Sequence, residues 1–210
     1  MLVRDEGALR HVTDRIETLL ASLRAALGTD AVLDGAAAGA RHHADWSGKH
    51  PCPPAAVVRP RSTADVQIVL QRCHDARQPL VVQGGMTGLS GGATPQPGEL
   101  ALSLERLVGI EAVDPAAGTL RALAGTPLAA VHAAAEEAGL QFPLDLASRG
   151  SCTIGGNVAT NAGGNRVIRY GMARELVLGV EAVLADGTAV SSLHPMLKNN
   201  AGYDLRQLFV

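Results

Sequence analysis

Two glycine-dense stretches are the parts of this sequence best suited to act on a bound molecule, and both would do so with backbone rather than side chains. The first reads Gln83-Gly84-Gly85-Met86-Thr87-Gly88-Leu89-Ser90-Gly91-Gly92. Consecutive N–H groups on such a run can turn inward and wrap an anion without side-chain interference. No Lys-Ser or Lys-Thr pair follows, which excludes a Walker loop. The spacing is wrong for a Rossmann fingerprint, and the next residues, ATPQPGEL, cannot open a helix because two prolines and a glycine forbid it. A diphosphate held here would be held by the loop itself. The competing use of the same residues is a tight turn between strands, for which five glycines are more than enough.

The second stretch runs from Ser148 to Asn165 and contains only Gly, Ala, Ser, Thr, Cys and Asn around Ile154 and Val158, apart from Arg149 at its edge. Small residues let a flat ring lie against backbone, while Asn and Thr offer neutral hydrogen bonds to its rim, as a nicotinamide or flavin ring requires. A close-packed helix crossing would use the same small residues. Other candidates are weaker. His42, His43 and Asp45 could ligate a metal, but adjacent histidines on irregular chain are more often solvated or structural and no further ligand group follows at helical spacing, so no metal is expected. Arg149 and Arg166 could pair with a diphosphate, a substrate carboxylate or carboxylates of the fold. His194 and Lys198-Asn199-Asn200 read as a surface loop as readily as a site. No catalytic residue is assigned.

Bulk properties narrow the function classes. The 18 basic and 20 acidic residues are interspersed and aromatics are 2%, which gives neither the basic stripe nor the stacking platforms of a nucleic-acid binder. No apolar run approaches the roughly 18–20 residues that cross a bilayer. The N-terminus carries acids and lacks a signal-peptide pattern. A cytoplasmic protein is expected. Cys52, Cys73 and Cys152 form neither a CxxC pair nor an even disulfide set.

The elements that must position the two stretches follow from periodicity. Leu9, Val12, Ile16, Leu19, Leu20, Leu23 and Leu27 share one helical face, closed by Gly28. Ala55–Pro60 reads as a buried strand, Ser62 as the cap of a helix with Val66, Val69, Leu70 and Cys73 inward, and Pro79–Gln83 as a second strand. This is a compact parallel βαβ unit delivering the first glycine stretch at a strand end. ELALSLERL gives a further strand, and DPAAG joins two more in a hairpin. Thr126-Pro127 opens a helix that Gly139 ends, and Asp186-Gly187 centres a last hairpin. The whole reads as α+β in two lobes: a small βαβ lobe with short parallel strands and a larger lobe with mainly antiparallel sheet flanked by helices. The lobe boundary is expected at about 95–110, after an N-terminal helical segment over 1–44.

Taken together, VVRPRSTADV, PLVVQGGMTGLSGGATP, PLDLASRGSCTIGGNVATNAGGNRVIRYG, VLGVEAVLADGTAV and LKNNAGYDLRQLFV resemble the FAD-binding domain of flavoproteins of the vanillyl-alcohol oxidase and p-cresol methylhydroxylase type. Within that group they are similar to the D-2-hydroxyacid branch, which holds a glycolate oxidase component, D-lactate dehydrogenase and D-2-hydroxyglutarate dehydrogenase. The resemblance covers roughly residues 45–210. It implies FAD, with Gly84, Gly85, Met86, Thr87 and Gly88 offering amides to the diphosphate. Gly150, Ser151, Cys152, Gly155, Gly156 and Asn157 would line the flavin and ribityl side, and Thr160, Asn161, Ala162 and Gly163 would continue that wall. Relatives that tether flavin use a histidine in the first loop; Met86 stands near that place, so dissociable FAD is expected. The family continues past LKNNAGYDLRQLF with another glycine-rich segment and a substrate domain, where the base and any metal lie. The resemblance therefore implies the cofactor part of an enzyme oxidising a small D-2-hydroxy acid, inactive alone, with an unknown electron acceptor and a possible oligomer or partner subunit. A non-catalytic flavin-binding module or one half of a split enzyme is the alternative.

Overall fold

The computed structural model describes residues 6–194, 200 and 202–210. Helix α1 (Glu6–Leu27) ends where expected: Gly28 takes φ +91°, which a side chain would resist, and donates its N–H to Arg24 O at 2.9 Å. Leu19, Leu20 and Leu23 turn inward at helical spacing and Leu23 is fully enclosed. The side chains of Leu9 and Val12 lie outside the described residues.

Four short strands form the first sheet: β1 (Val32–Asp34), β2 (Ala56–Val58), β3 (Leu80–Gln83) and β4 (Leu100–Ser103), in the order β1-β2-β4-β3. β2, β4 and β3 run parallel and β1 is antiparallel to β2. Strand alternation sorts the core into two layers. Ala56, Val58, Leu100 and Leu102 face α1 and α2 (Thr63–Asp75), joined by Val66, Val69 and Cys73; Val57 and Ala101 face the opposite side with Ala38. Burial pushes the Cys73 thiol up to about 11.

The helix α2 begins as its sequence dictates, with Ser62 Oγ accepting the Asp65 N–H at 3.1 Å and Asp65 Oδ2 accepting the Arg61 N–H. β2, α2 and β3 form the expected parallel βαβ unit, and β4 lies between its two strands: its Leu100-Ala101-Leu102-Ser103 is buried on both faces and takes the centre. Before residue 45, β1 pairs with β2 in register from Val32↔Val58 to Asp34↔Ala56.

Beyond the sheet, β5 (Ile110–Asp114) and β6 (Thr119–Ala122) make the first hairpin, its turn braced by Asp114 Oδ1 accepting from the Ala116 and Ala117 N–H groups. Helix α3 (Leu128–Glu137) starts one residue after Pro127. Three short helices follow: α4 (Ile154–Ala159), α5 (Val167–Tyr170) and α6 (Ala173–Leu176). Leu128, Leu144, Cys152 and Ala173 make a second, smaller core. The last hairpin, β7 (Val180–Val183) and β8 (Ala189–Ser192), docks on α2 through Thr63 Oγ1 donating to Glu181 at 2.7 Å and Gln67 Nε2 donating to Gly187 O at 3.0 Å. The antiparallel pairing expected beyond the boundary at about 95–110 is present, among the described residues, as two separate hairpins.

A cradle built from backbone

β3 delivers the first glycine loop at the carboxyl end of the parallel strands, the edge where open α/β sheets place their ligands. Gln83, the last residue of β3, is fully buried and closes the loop at its base. Its Nε2 donates to His42 O at 2.9 Å and to Ala93 O at 3.0 Å, which turns Oε1 toward His42 Nδ1 at 2.8 Å. An amide oxygen only accepts, so His42 carries its proton on Nδ1. One side chain thus ties the start of the loop to its end and to the preceding segment.

Within this ring the backbone is unpaired. Among the described residues, no N–H from Gly84 to Ser90 donates to a protein group; the next, Gly91, donates to Asp45 Oδ2 at 2.7 Å. A row of free amides in a curled loop is an anion-binding concavity. Met86 contributes to the curl with φ +57°, a left-handed conformation uncommon outside glycine.

The loop is pressed against the second glycine stretch. A Cβ on Gly85 would collide with Ser151 O and lie 2.8 Å from Cys152 Cα; one on Gly84 would lie 2.6 Å from Thr153 Oγ1 and 4.0 Å from Gly156 Cα. Two chain segments some seventy residues apart therefore meet backbone to backbone, with nothing larger than a threonine between them. The second stretch is anchored in turn by the 124–128 segment, the turn and bridge that lead into α3. Leu128 N–H donates to Cys152 O, Ile154 N–H to Thr126 O and Gly155 N–H to Ala124 O, at 3.0, 2.9 and 2.8 Å. Gly155 uses its missing side chain there, since a Cβ would lie 2.6 Å from that of Ala124.

At this junction two buried polar side chains lack a protein partner: Thr153 Oγ1 and Asn157 Nδ2, with 7% and 4% of their residues exposed. A buried hydroxyl and carboxamide without partners cost free energy unless something supplies the missing bonds. Neutral donors beside a row of free amides and a wall of small residues fit a diphosphate linked to a flat heterocycle. Thr153 was not among the residues singled out by sequence; its only signal was its place between Cys152 and Gly155.

The other candidates are placed as follows. Gly84, Gly85, Ser151, Cys152 and Gly156 come together at the junction, with Asn157 behind them. Met86, Thr87 and Gly88 continue the free amide row outward. Gly150 faces open space, and Gly163 faces Met172 Cε at 3.8 Å. Thr160 Oγ1 donates to Gly156 O at 2.8 Å, Asn161 Oδ1 accepts the Arg174 N–H at 3.0 Å, and Ala162 O accepts the Ala173 N–H at 2.9 Å, so the polar groups of 160–162 serve α4 and α6. Arg149 and Arg166 both lie on Asp145, at 2.8 and 3.8 Å. His42 faces Gln83, and Asp45 faces Gly91. The described residues contain no group of three or more His, Cys, Asp or Glu arranged to hold a metal. His194 and Asn200 are exposed; Lys198 and Asn199 lie outside the described residues.

Known proteins agree with this geometry. The sequence is 48% identical over 169 residues to a D-2-hydroxyglutarate dehydrogenase of Xanthomonas citri pv. viticola, covering 79% of this chain and 35% of the relative. It is 47% identical to the mitochondrial enzyme of that name from Bos taurus, covering 73% and 28%. It is also 37% identical to a D-2-hydroxyglutarate–pyruvate transhydrogenase of Saccharomyces cerevisiae, covering 91% and 39%. The chain thus spans between 28% and 39% of these relatives' length. Among solved structures, an alkyldihydroxyacetonephosphate synthase superposes with a TM-score of 0.81 at 19% identity over 92% of this chain and 37% of its own. A 4-ethylphenol oxidase from Gulosibacter chungangensis does so with 0.74 at 19% identity over 93% and 40%. Both share the α+β fold. Residues 54–192, more than half of the chain and spanning both glycine stretches, match the FAD binding domain family, and the chain belongs to that family.

Proposed function

We propose that this chain is the FAD-holding part of an oxidoreductase that oxidises a small D-2-hydroxy acid of the lactate, glycolate or 2-hydroxyglutarate type. The observation that carries the reading is the run of free amides from Gly84 to Ser90 lying against the Ser151–Gly156 backbone. In this reading the amides of Gly84, Gly85, Met86, Thr87 and Gly88 hold the diphosphate. Ser151, Cys152, Gly156 and Asn157 face the ribityl and flavin side, with Gly150, Gly155 and Thr160–Gly163 extending the same wall. Thr153 Oγ1 joins them. Bound flavin would supply a two-electron acceptor for the hydride of the substrate carbon. The chain's own part is binding and orientation, since the site offers amide, hydroxyl and carboxamide groups and its one buried carboxylate, Asp45, is engaged by Gly91. FAD is held non-covalently: Met86, near the place where relatives tether flavin through histidine, offers only a thioether. The substrate names of the relatives support the hydroxy-acid class. A division into two lobes near residues 95–110, a cytoplasmic setting consistent with three free thiols, and a partner subunit or oligomer belong to the same reading.

The test is direct. Trp46, the single tryptophan, is exposed and follows Asp45, whose carboxylate bonds the loop at Gly91, so FAD addition is expected to quench its fluorescence and give the protein a flavin spectrum. Acid precipitation is expected to leave all flavin in the supernatant. No uptake of FAD would sink the cofactor assignment, and flavin remaining in the pellet would sink non-covalent binding. The lining of amide, hydroxyl and carboxamide groups favours a second reading, a binding module without turnover. Reduction of a dye by D-2-hydroxyglutarate with this chain alone would exclude it.

A further inference from the structure

The segment carrying His42, His43 and Asp45 offers metal-ligating residue types although no metal is expected there, and two of its side chains, His42 and Asp45, bond the base and the distal end of the glycine loop. Asp45 is buried, with 5% of its surface exposed, directly beneath that loop. Its Oδ2 accepts the Gly91 N–H at 2.7 Å and its Oδ1 the Ser47 N–H at 3.0 Å. Its own N–H donates to Thr94 Oγ1 at 3.2 Å, and Gly88 passes close enough that a Cβ there would lie 3.4 Å from Oδ2. His42 is fastened one turn earlier to Gln83, at the base of the same loop. A strap of residues 42–45 thus grips the loop at residue 83, before the free amides, and at residues 91 and 94, after them.

We propose that Asp45 is a positioning residue for the cofactor loop: its carboxylate takes the Gly91 amide and fixes the distal half of the ring, so that residues 84–88 keep their amides turned to the diphosphate. A buried carboxylate close to an anion site is electrostatically adverse to the anion. Its presence is explained if the order it imposes outweighs that repulsion. The charge-assisted hydrogen bond from the Gly91 N–H supplies the order, the Ser47 N–H holds the carboxylate in place for it, and a loop curled through Met86 at positive φ needs it. The second half of the proposal, its consequence for the diphosphate, rests on the FAD reading; the first half, loop order, does not.

The experiment compares the wild-type chain with Asp45→Ala and Asp45→Asn by amide hydrogen exchange without cofactor and by FAD titration. In Asp45→Ala, exchange across residues 84–93 is expected to rise at least tenfold while α1 and β4 stay at wild-type rates, and the FAD dissociation constant is expected to rise roughly tenfold, the loss of about one charge-assisted bond. Asp45→Asn keeps an oxygen acceptor for one of the two N–H groups and is expected to recover most of both effects. Unchanged exchange at 84–93 in Asp45→Ala overturns the proposal whatever FAD does. Raised exchange with wild-type FAD affinity overturns the link between loop order and binding. Failure of the wild-type chain to bind FAD defeats the cofactor reading and that link, while the exchange comparison still decides whether Asp45 orders the loop. Equal damage from Ala and Asn, with α1 and β4 loosened as well, would reduce Asp45 to a general packing residue and overturn the proposal too.

Discussion

A methyl group added at Gly85 would run into Ser151 O and come within 2.8 Å of Cys152 Cα, whereas one added at Gly92 would meet nothing within 4 Å. Both positions belong to the same stretch, and only contact with the second stretch separates them. Gly85→Ala must displace backbone on one side of the junction, since neither obstacle is the end of a flexible side chain. The expected result is a loss of about 1–3 kcal/mol of stability and FAD binding weakened by tenfold or more, while Gly92→Ala leaves both within error. A thermal melt and an FAD titration on the pair check it; equal affinity in the two variants would mean that the junction is not the site. Much of this scale was readable in the residues. Glycine density beside a strand end pointed to a loop used for its amides, and small residues from Ser148 to Asn165 pointed to a surface of close approach. His42 and Asp45 gave no lead in composition, because a pair of histidines and a carboxylate look the same in sequence whether they face a metal, solvent or an amide. Thr153 carried no signal beyond its place between Cys152 and Gly155: its hydroxyl matters because the fold leaves it buried between Gly84 and Gly156 without a partner.

Element boundaries followed local chemistry, and element order did not. The cap of α2 shows the first point. Ser62 Oγ takes the Asp65 N–H, and Asp65 lies in the first turn where it complements the helix dipole. Ser62→Ala is expected to cost about 1 kcal/mol, seen as a melting temperature roughly 2–4 °C lower with FAD affinity unchanged, because the bond it removes serves the start of α2 and none of the loop amides. An affinity loss without a melting shift would assign Ser62 to the site instead. The order of strands shows the second point. Nothing local in Leu100–Ser103 says that it enters between β2 and β3; a both-faces-buried tetrapeptide fits any central position, and the choice is made by packing on α1 and α2. β1 is three residues long, too short to show alternation, and is defined by its partner β2. α4 runs against its own propensity, with two glycines in IGGNVA. It is held by tertiary bonds from Ile154 and Gly155 to the carbonyls of Thr126 and Ala124, which no window of sequence contains.

At the scale of the whole molecule, the two-stranded sheets set the problem. β5–β6 and β7–β8 each pair only with themselves among the described residues, and an isolated hairpin is marginal unless something covers it. β7–β8 has α2 beneath it, while its outer edge and that of β5–β6 keep unpaired backbone groups that can template pairing with another chain. Large apolar side chains are exposed in the same half: Ile168 and Tyr203 completely, and Leu208 at 77%. Scattered exposed apolar residues are ordinary, but exposed aliphatic and aromatic groups combined with open strand edges favour association. The chain at rising concentration is therefore expected to sediment as a mixture of monomer and larger species. Ile168→Ser combined with Leu208→Ser is expected to shift that mixture toward monomer without changing FAD affinity, because neither residue touches the glycine junction. Salt separates the two causes: screening weakens charge-driven association, whereas apolar contact and strand pairing persist or strengthen. A wild-type chain that stays monomeric at every concentration reached would show that these edges and side chains are adequately solvated as they stand, and the argument from exposure would fail.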